Sequence, residues 1–245
     1  MAKIERESVP QVERITFNIP GLDALFPEGI PARSQILLSG TVGTGKTIFG
    51  LQYVYNSITL SKEPALFATF EEHTFELRNQ ARRFGWKLEE LEKKGMLLIK
   101  RYDPFIIDEV LGILNNDIRR IKAKRVVIHS VSNFTIYLKE ESDIRRMMVK
   151  LYDTLKTNGC TSILVCESPP GGASISRSGV EEFVVDGVIR LRKALIGEEF
   201  KKVLNIWKMR GSKHSNKLHL YDITDHGFVV YPERTIDISQ AKIYT

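Results

Sequence analysis

This 245-residue chain has only two cysteines, no long apolar run and no low-complexity tract. Cys160 and Cys166 flank the apolar run Thr161 to Val165. If that run is extended, at about 3.3 Å per residue the two Cα atoms stand roughly 20 Å apart, beyond the reach of a disulfide. Buried thiols in a reducing compartment are the expectation. No stretch approaches the roughly 20 apolar residues of a membrane span, and the segment Met1 to Glu7 has no apolar signal core, so the sequence predicts a cytoplasmic protein with no membrane partner. A strong charge of either sign is also missing. The net charge of +6 is mild and serves phosphates or nucleic acid equally well. No internal repeat is seen. A hydrophobic fraction of 42% and a charged fraction of 27% are ordinary for a globular chain, and the length fits one α/β domain with a full core.

Short aliphatic runs alternate with longer helical patterns, which predicts a mainly parallel sheet flanked by helices. Strands are expected at about 35 to 39, 65 to 70, 96 to 101, 125 to 131 and 161 to 166, with helices at about 46 to 60, 74 to 84, 107 to 122 and 141 to 157. In the last helix Ile144, Met147, Met148, Leu151, Tyr152 and Leu155 form one apolar stripe, read as core. After residue 167 the pattern changes to a loop at 168 to 179 and strand-like runs at about 183 to 192, 201 to 209, 217 to 223 and 227 to 231. These predict antiparallel hairpins extending the sheet, with Asp225-His226-Gly227 as one turn. Residues 1 to 14 read as a polar arm, 15 to 235 as the domain and 236 to 245 as a tail.

Residues Gly40-Thr41-Val42-Gly43-Thr44-Gly45-Lys46-Thr47 complete the pattern G-x-x-x-x-G-K-[ST] between an apolar strand and an apolar-faced helix. Glycines let successive backbone NH groups turn inward, and the helix N-terminus adds partial positive charge, which makes an anion cradle. Lys46 is expected to reach the β- and γ-phosphates of a nucleoside triphosphate and Thr47 to ligate Mg²⁺. Thr41, Val42, Gly43, Thr44, Gly45, Lys46, Thr47 and Ile48 are therefore the expected nucleotide-binding set.

Hydrolysis also needs a group that orients water and a partner for the metal. Glu71 and Glu72 follow a strand at the edge where ligands bind in open α/β sheets. They read either as the water-handling pair or as acids favoured in the first turn of the next helix. At the end of the run Arg125 to Ser130, where such enzymes place a metal-binding Asp, this chain has His129. Neutral, an imidazole accepts a hydrogen bond but supplies no negative charge; protonated, it repels Mg²⁺. A histidine with no metal role is the other reading. Lys208 and Arg210 stand at i and i+2 of a strand end, as two cations for a γ-phosphate or as a basic edge.

The chain resembles the KaiC-like branch of the RecA-type ATPases over about residues 15 to 232. The resemblance rests on Ile19-Pro20-Gly21-Leu22-Asp23, the phosphate loop, Thr69-Phe70-Glu71-Glu72, Phe84-Gly85-Trp86, the run Ser178 to Phe183, the run Lys208 to His214 and Ile223-Thr224-Asp225-His226-Gly227. It implies a RecA-like P-loop domain that binds ATP and Mg²⁺ between subunits of a homo-oligomeric ring, usually a hexamer. Glu71 and Glu72 match the catalytic pair, Lys208 and Arg210 the residues that reach a neighbour's γ-phosphate, and Ser212 and His214 lie near the same nucleotide. The chain has the length of one such domain, and a circadian role does not transfer. His129 departs from the family pattern.

Three readings follow: a slow ATPase forming an ATP-dependent ring, an ATP-binding assembly protein with little hydrolysis, and a DNA-repair accessory that binds single strands. The last draws on the basic segments 78 to 83 and 119 to 125 and on the loop 168 to 179 with its single Arg177, which also reads as a surface loop. No protein partner is named by the sequence.

Overall fold

A computed structural model describes residues 12–103, 107–138, 140–169, 174–237 and 242–244. Most of the expected arm, part of the loop at 168 to 179 and part of the tail fall outside the described residues.

The parallel part of the sheet comprises β3 (Gln35–Gly40), β4 (Ala65–Thr69), β5 (Leu97–Arg101), β6 (Arg125–His129) and β7 (Thr161–Glu167). Before it, β1 (Arg14–Ile15) pairs antiparallel with β2 (Ile30–Pro31) in a separate two-stranded sheet. Helices α1 (Lys46–Thr59), α2 (Thr74–Arg82), α3 (Leu88–Lys93), α4 (Ile107–Ile121), α5 (Ser132–Tyr137) and α6 (Glu141–Thr157) connect the strands. After β7 come α7 (Glu181–Val184) and the strands β8 (Gly187–Ile196), β9 (Glu199–Met209), β10 (Leu218–Thr224), β11 (Gly227–Ile236) and β12 (Lys242–Tyr244). The large sheet runs β11-β10-β9-β8-β3-β7-β6-β4-β5, with β12 also on β8. Strands β5, β4, β6, β7, β3 and β8 are mutually parallel, whereas β9, β10, β11 and β12 join antiparallel.

The sheet is two-sided because successive residues of a strand point to opposite faces. Ile36, Leu38, Phe67, Val127 and Ile163 pack with α1 through Phe49, Tyr53 and Val54. Leu37, Leu66, Val126, Ile128 and Leu164 pack the other way, against α4 and α6. The stripe on α6 is core at Ile144, Met147, Met148, Leu151 and Leu155. Tyr152 is half-buried instead, and its hydroxyl donates to Asp186 at 3.1 Å. Both cysteines are buried and free, and burial pushes each thiol up to about 12.

The structure corrects several boundaries. The run expected as strand from 125 to 131 stops at His129, and α5 begins at Ser132. The run expected as strand from 183 starts with α7, so that β8 begins only at Gly187. Apolar composition does not separate a one-turn helix from a strand. The Asp225-His226 turn forms, closing a two-residue hairpin between Thr224 and Gly227. Among the described residues no helix is long and apolar enough to cross a membrane.

Candidate functional site

The phosphate loop leaves the carboxyl end of β3 in the middle of the sheet, flanked by β7 and β8. Gly43 and Gly45 adopt φ of 74° and 86°, which L side chains rarely take. A Cβ at Gly45 would come within 2.5 Å of Ile223 Cδ1. Glycine there is thus needed for conformation, and any side chain would also displace the Ile223 methyl. From Gly45 the chain turns into α1, whose first NH groups have no partner within the helix. Thr44 Oγ1 donates to Thr41 O at 2.8 Å and Tyr221 Oη to Thr44 O at 2.7 Å, which fixes the curl. Lys46 Nζ donates to Gly40 O and Thr41 O at 2.7 and 2.9 Å, so its ammonium stays inside the loop. Burial lowers its pKa, opposed by the charges of Glu167 and Glu71. Val42 is 87% exposed at the loop's tip, and Ile48, in the first turn of α1, packs against the core.

Thr47, the second residue of α1, meets the acids. Its hydroxyl lies 3.0 Å from Glu72 Oε1 and 3.0 Å from His129 Nε2. A carboxylate only accepts, so the hydroxyl donates to Glu72, and His129 must carry its hydrogen on Nε2 to donate in turn to Thr47 Oγ1. Burial beneath the ring of Phe67 lowers the His129 pKa to about 4, despite the raising effect of Glu72. The imidazole is therefore neutral at pH 7. It adds no positive charge beside Thr47, where the negative charge comes from Glu72. His129 Nδ1 is buried with no hydrogen-bond partner, an acceptor that a water hydrogen would satisfy.

The two glutamates differ. Glu72 Oε1 accepts from Thr47 and Oε2 from Gln80 Nε2 at 2.7 Å, so both oxygens are held. Glu71 Oε1 accepts from Ser130 Oγ at 2.6 Å, while Oε2 lies 3.8 Å from His129 Nδ1. Glu71 thus keeps one oxygen with no close donor. Neither is a first-turn acid of α2. His73 caps that helix and Glu76 fills the acidic position, its carboxylate accepting from His73 N at 3.2 Å.

Lys208 and Arg210 are not brought to this loop. Lys208 Nζ donates to Glu182 O at 2.6 Å, and Arg210 donates to Phe183 O at 3.3 Å and stands 3.8 Å from Asp186 Oδ1. Ser212 Oγ donates to Gly29 O at 2.6 Å, and His214 lies beside Phe26. All four find their partners away from the phosphate loop of their own chain. Burial and the charge of Arg210 lower the Lys208 pKa.

Sequence reasoning missed Ser130, Gln80 and Glu167. Glu167 ends β7 and, with Thr41, Val42 and Arg177, lines a cavity of about 360 Å³ beside the loop. Its signal was available, since it is an acid at the same sheet edge as Glu71. Gln80 carried none, because its role depends on how α2 folds back toward the loop.

Residues 15–235 match the family model described as the KaiC ATPase. A UPF0273 protein of Pyrococcus horikoshii is 38% identical over 240 residues, covering 91% of this chain and 96% of that protein. The circadian clock oscillator protein KaiC of Synechococcus elongatus is 36% identical over 232 residues, 91% of this chain but 45% of that protein. The crystal structure of a KaiC-like protein from Pyrococcus horikoshii superposes with a TM-score of 0.83 at 38% identity, over 90% of this chain and all of that one.

Proposed function

Since the chain belongs to the KaiC family of P-loop ATPases, we propose that it binds ATP with Mg²⁺ and hydrolyses it slowly, in a homo-oligomeric ring with nucleotide at the subunit interfaces. One observation carries the proposal. Thr47, Glu72 and His129 converge at 3.0 Å beside the phosphate loop, whereas Lys208 and Arg210 are held elsewhere in the same chain.

The residues fit the groups they are asked to hold. A cradle needing glycine at 40 and 45, an internal ammonium and a hydroxyl oriented by a carboxylate suit a magnesium-bound triphosphate. When bound, Mg²⁺ neutralises phosphate charge and the triphosphate supplies the bond to be cleaved. Thr47 would hold the metal, kept in orientation by Glu72. Glu71, with one carboxylate oxygen free of a close donor, would accept the proton of the attacking water while Ser130 fixes its other oxygen. Neutral His129 holds Thr47 without adding charge.

Lys208 and Arg210 would complete a neighbour's site, leaving α7 to meet the γ-phosphate. A hexamer is the proposed ring and the cytoplasm its proposed place. The test is steady-state hydrolysis measured alongside solution mass, with and without ATP. Turnover together with an ATP-dependent mass several times that of the chain is expected; a monomer with full turnover contradicts a shared site.

A further inference from the structure

One basic cluster lies outside the phosphate site. Arg190 and Arg192 stand at i and i+2 on β8 and so share a face of the sheet. Arg190 is buried, and its guanidinium donates to Ser174 O at 3.3 Å. Arg192 Nη2 donates to Asn205 Oδ1 at 2.7 Å, but its Nε is buried with no partner. No carboxylate among the described residues forms an ion pair with either arginine. Burial, and then the neighbouring charge of Arg190, push Arg192 down to about 10. The charge of Glu182 acts on Arg190 from beyond ion-pair distance, and two neighbouring guanidinium groups with no directly paired carboxylate favour an anion.

The strand beside them adds an aromatic ring. Between Val188 and Ile189 the pairing of β8 with β9 skips a residue, from Lys208 to Ile206. Trp207 is the extra residue of this bulge, and bulges re-aim side chains. The indole is 56% exposed, and Arg190 lies 5.4 Å from its ring centre. The guanidinium engages the ring by a cation–π contact, and the exposed part of the indole is available to a planar group. An exposed bulky aromatic beside buried Arg190 and half-buried Arg192 pairs a stacking surface with a phosphate-binding donor.

We propose that the Arg190, Arg192 and Trp207 face binds single-stranded nucleic acid, with an unpaired base on the Trp207 ring and a backbone phosphate on Arg192. Stacking on one ring tolerates any base, so little sequence preference follows. Neither the segments 78 to 83 and 119 to 125 nor Arg177 is required.

The protein carries its own reporter. Of its two tryptophans, Trp86 is buried against Phe84 and Tyr55, which leaves Trp207 as the solvent-facing fluorophore. Titration with an oligodeoxythymidylate of about 20 nucleotides is expected to quench it, less so as salt rises. In anisotropy with the same oligomer labelled, Trp207→Ala should bind about tenfold more weakly, Trp207→Phe close to wild type, and Arg192→Gln more weakly with a shallower salt dependence. Thermal melts check that the variants fold, and Lys46→Ala should bind the oligomer as the wild type does. Equal binding by Trp207→Ala, or equal affinity for heparin, which has charge but no bases, overturns the proposal. So does a face that ATP-driven assembly closes to the oligomer, because its occupant is then a second copy of the chain.

Discussion

The two halves of the large sheet are built on opposite terms. In the parallel half, β3, β4, β6 and β7 end at one edge, and the polar groups there engage each other: Lys46 with the loop carbonyls, Thr47 with Glu72 and His129, Glu71 with Ser130. Where the sheet turns antiparallel, between β8 and β9, Lys201 and Lys202 pair with Glu199 and Asp222, but four other cations have less to neutralise them. Lys208 and Arg210 donate to backbone carbonyls of α7, with Asp186 at 3.8 Å from Arg210, and among the described residues no carboxylate pairs directly with Arg190 or Arg192. A half that is satisfied internally can position chemistry. A half that is not has binding capacity left for another molecule.

The sharpest way to break this contrast is at Arg210. If it acts on a neighbour's nucleotide, Arg210→Ala lowers kcat on the order of 10³-fold while the Kd for ATP changes little. Measured by coupled hydrolysis and calorimetry, an unchanged kcat would place Arg210 outside the reaction. Next comes the division between the glutamates. Glu71→Gln should cost about 10²-fold in turnover, whereas Glu72→Gln should chiefly weaken Mg²⁺ dependence. Identical magnesium titrations for the two variants would erase the distinction. Lys46→Ala should weaken ATP binding by about 3 kcal/mol, roughly a hundredfold in Kd, and an unchanged affinity would sink the loop assignment.

His129 gives the smallest and subtlest effects. Replacing it with Asp adds a carboxylate near those of Glu71 and Glu72, so a few-fold rise in turnover should come with a lower melting temperature in the absence of Mg²⁺. No change in turnover means that Glu72 already supplies the charge. The pH dependence has a defined sign. A folded-state pKa of about 4 lies below the ordinary 6.5, so the unfolded chain binds the extra proton between these values. The stability linked to neutral His129 is full above pH 6.5 and is lost as pH falls toward 4. His129→Asn should therefore lose less stability over that window, as read from urea midpoints.

Much of the fold was legible because its signals are local. The apolar runs of β3, β4 and β7 and the stripe on α6 announce themselves within a dozen residues. The phosphate loop is a contiguous pattern with a single mechanical reading. What stayed hidden depends on tertiary position. Nothing in the run Arg125 to Ser130 says that His129 is buried against Phe67, which lowers its pKa and favours the neutral imidazole. The bulge at Trp207 exists only in the register of β9 on β8. The last two residues of α7 were read as strand because a four-residue helix is too short to show a period. Glu71 and Glu72 were correctly placed at the sheet edge, but only the reach of Gln80 and Ser130 tells them apart.

The central claim, that each site is shared between two chains, is tested most directly by mixing. Lys46→Ala and Arg210→Ala should each be nearly inactive. In a heterologous ring assembled from equal amounts, about one interface in four pairs an intact loop with an intact Arg210. The mixture is therefore predicted to recover about a quarter of wild-type turnover. Activity no greater than that of the two variants measured separately would contradict the shared site.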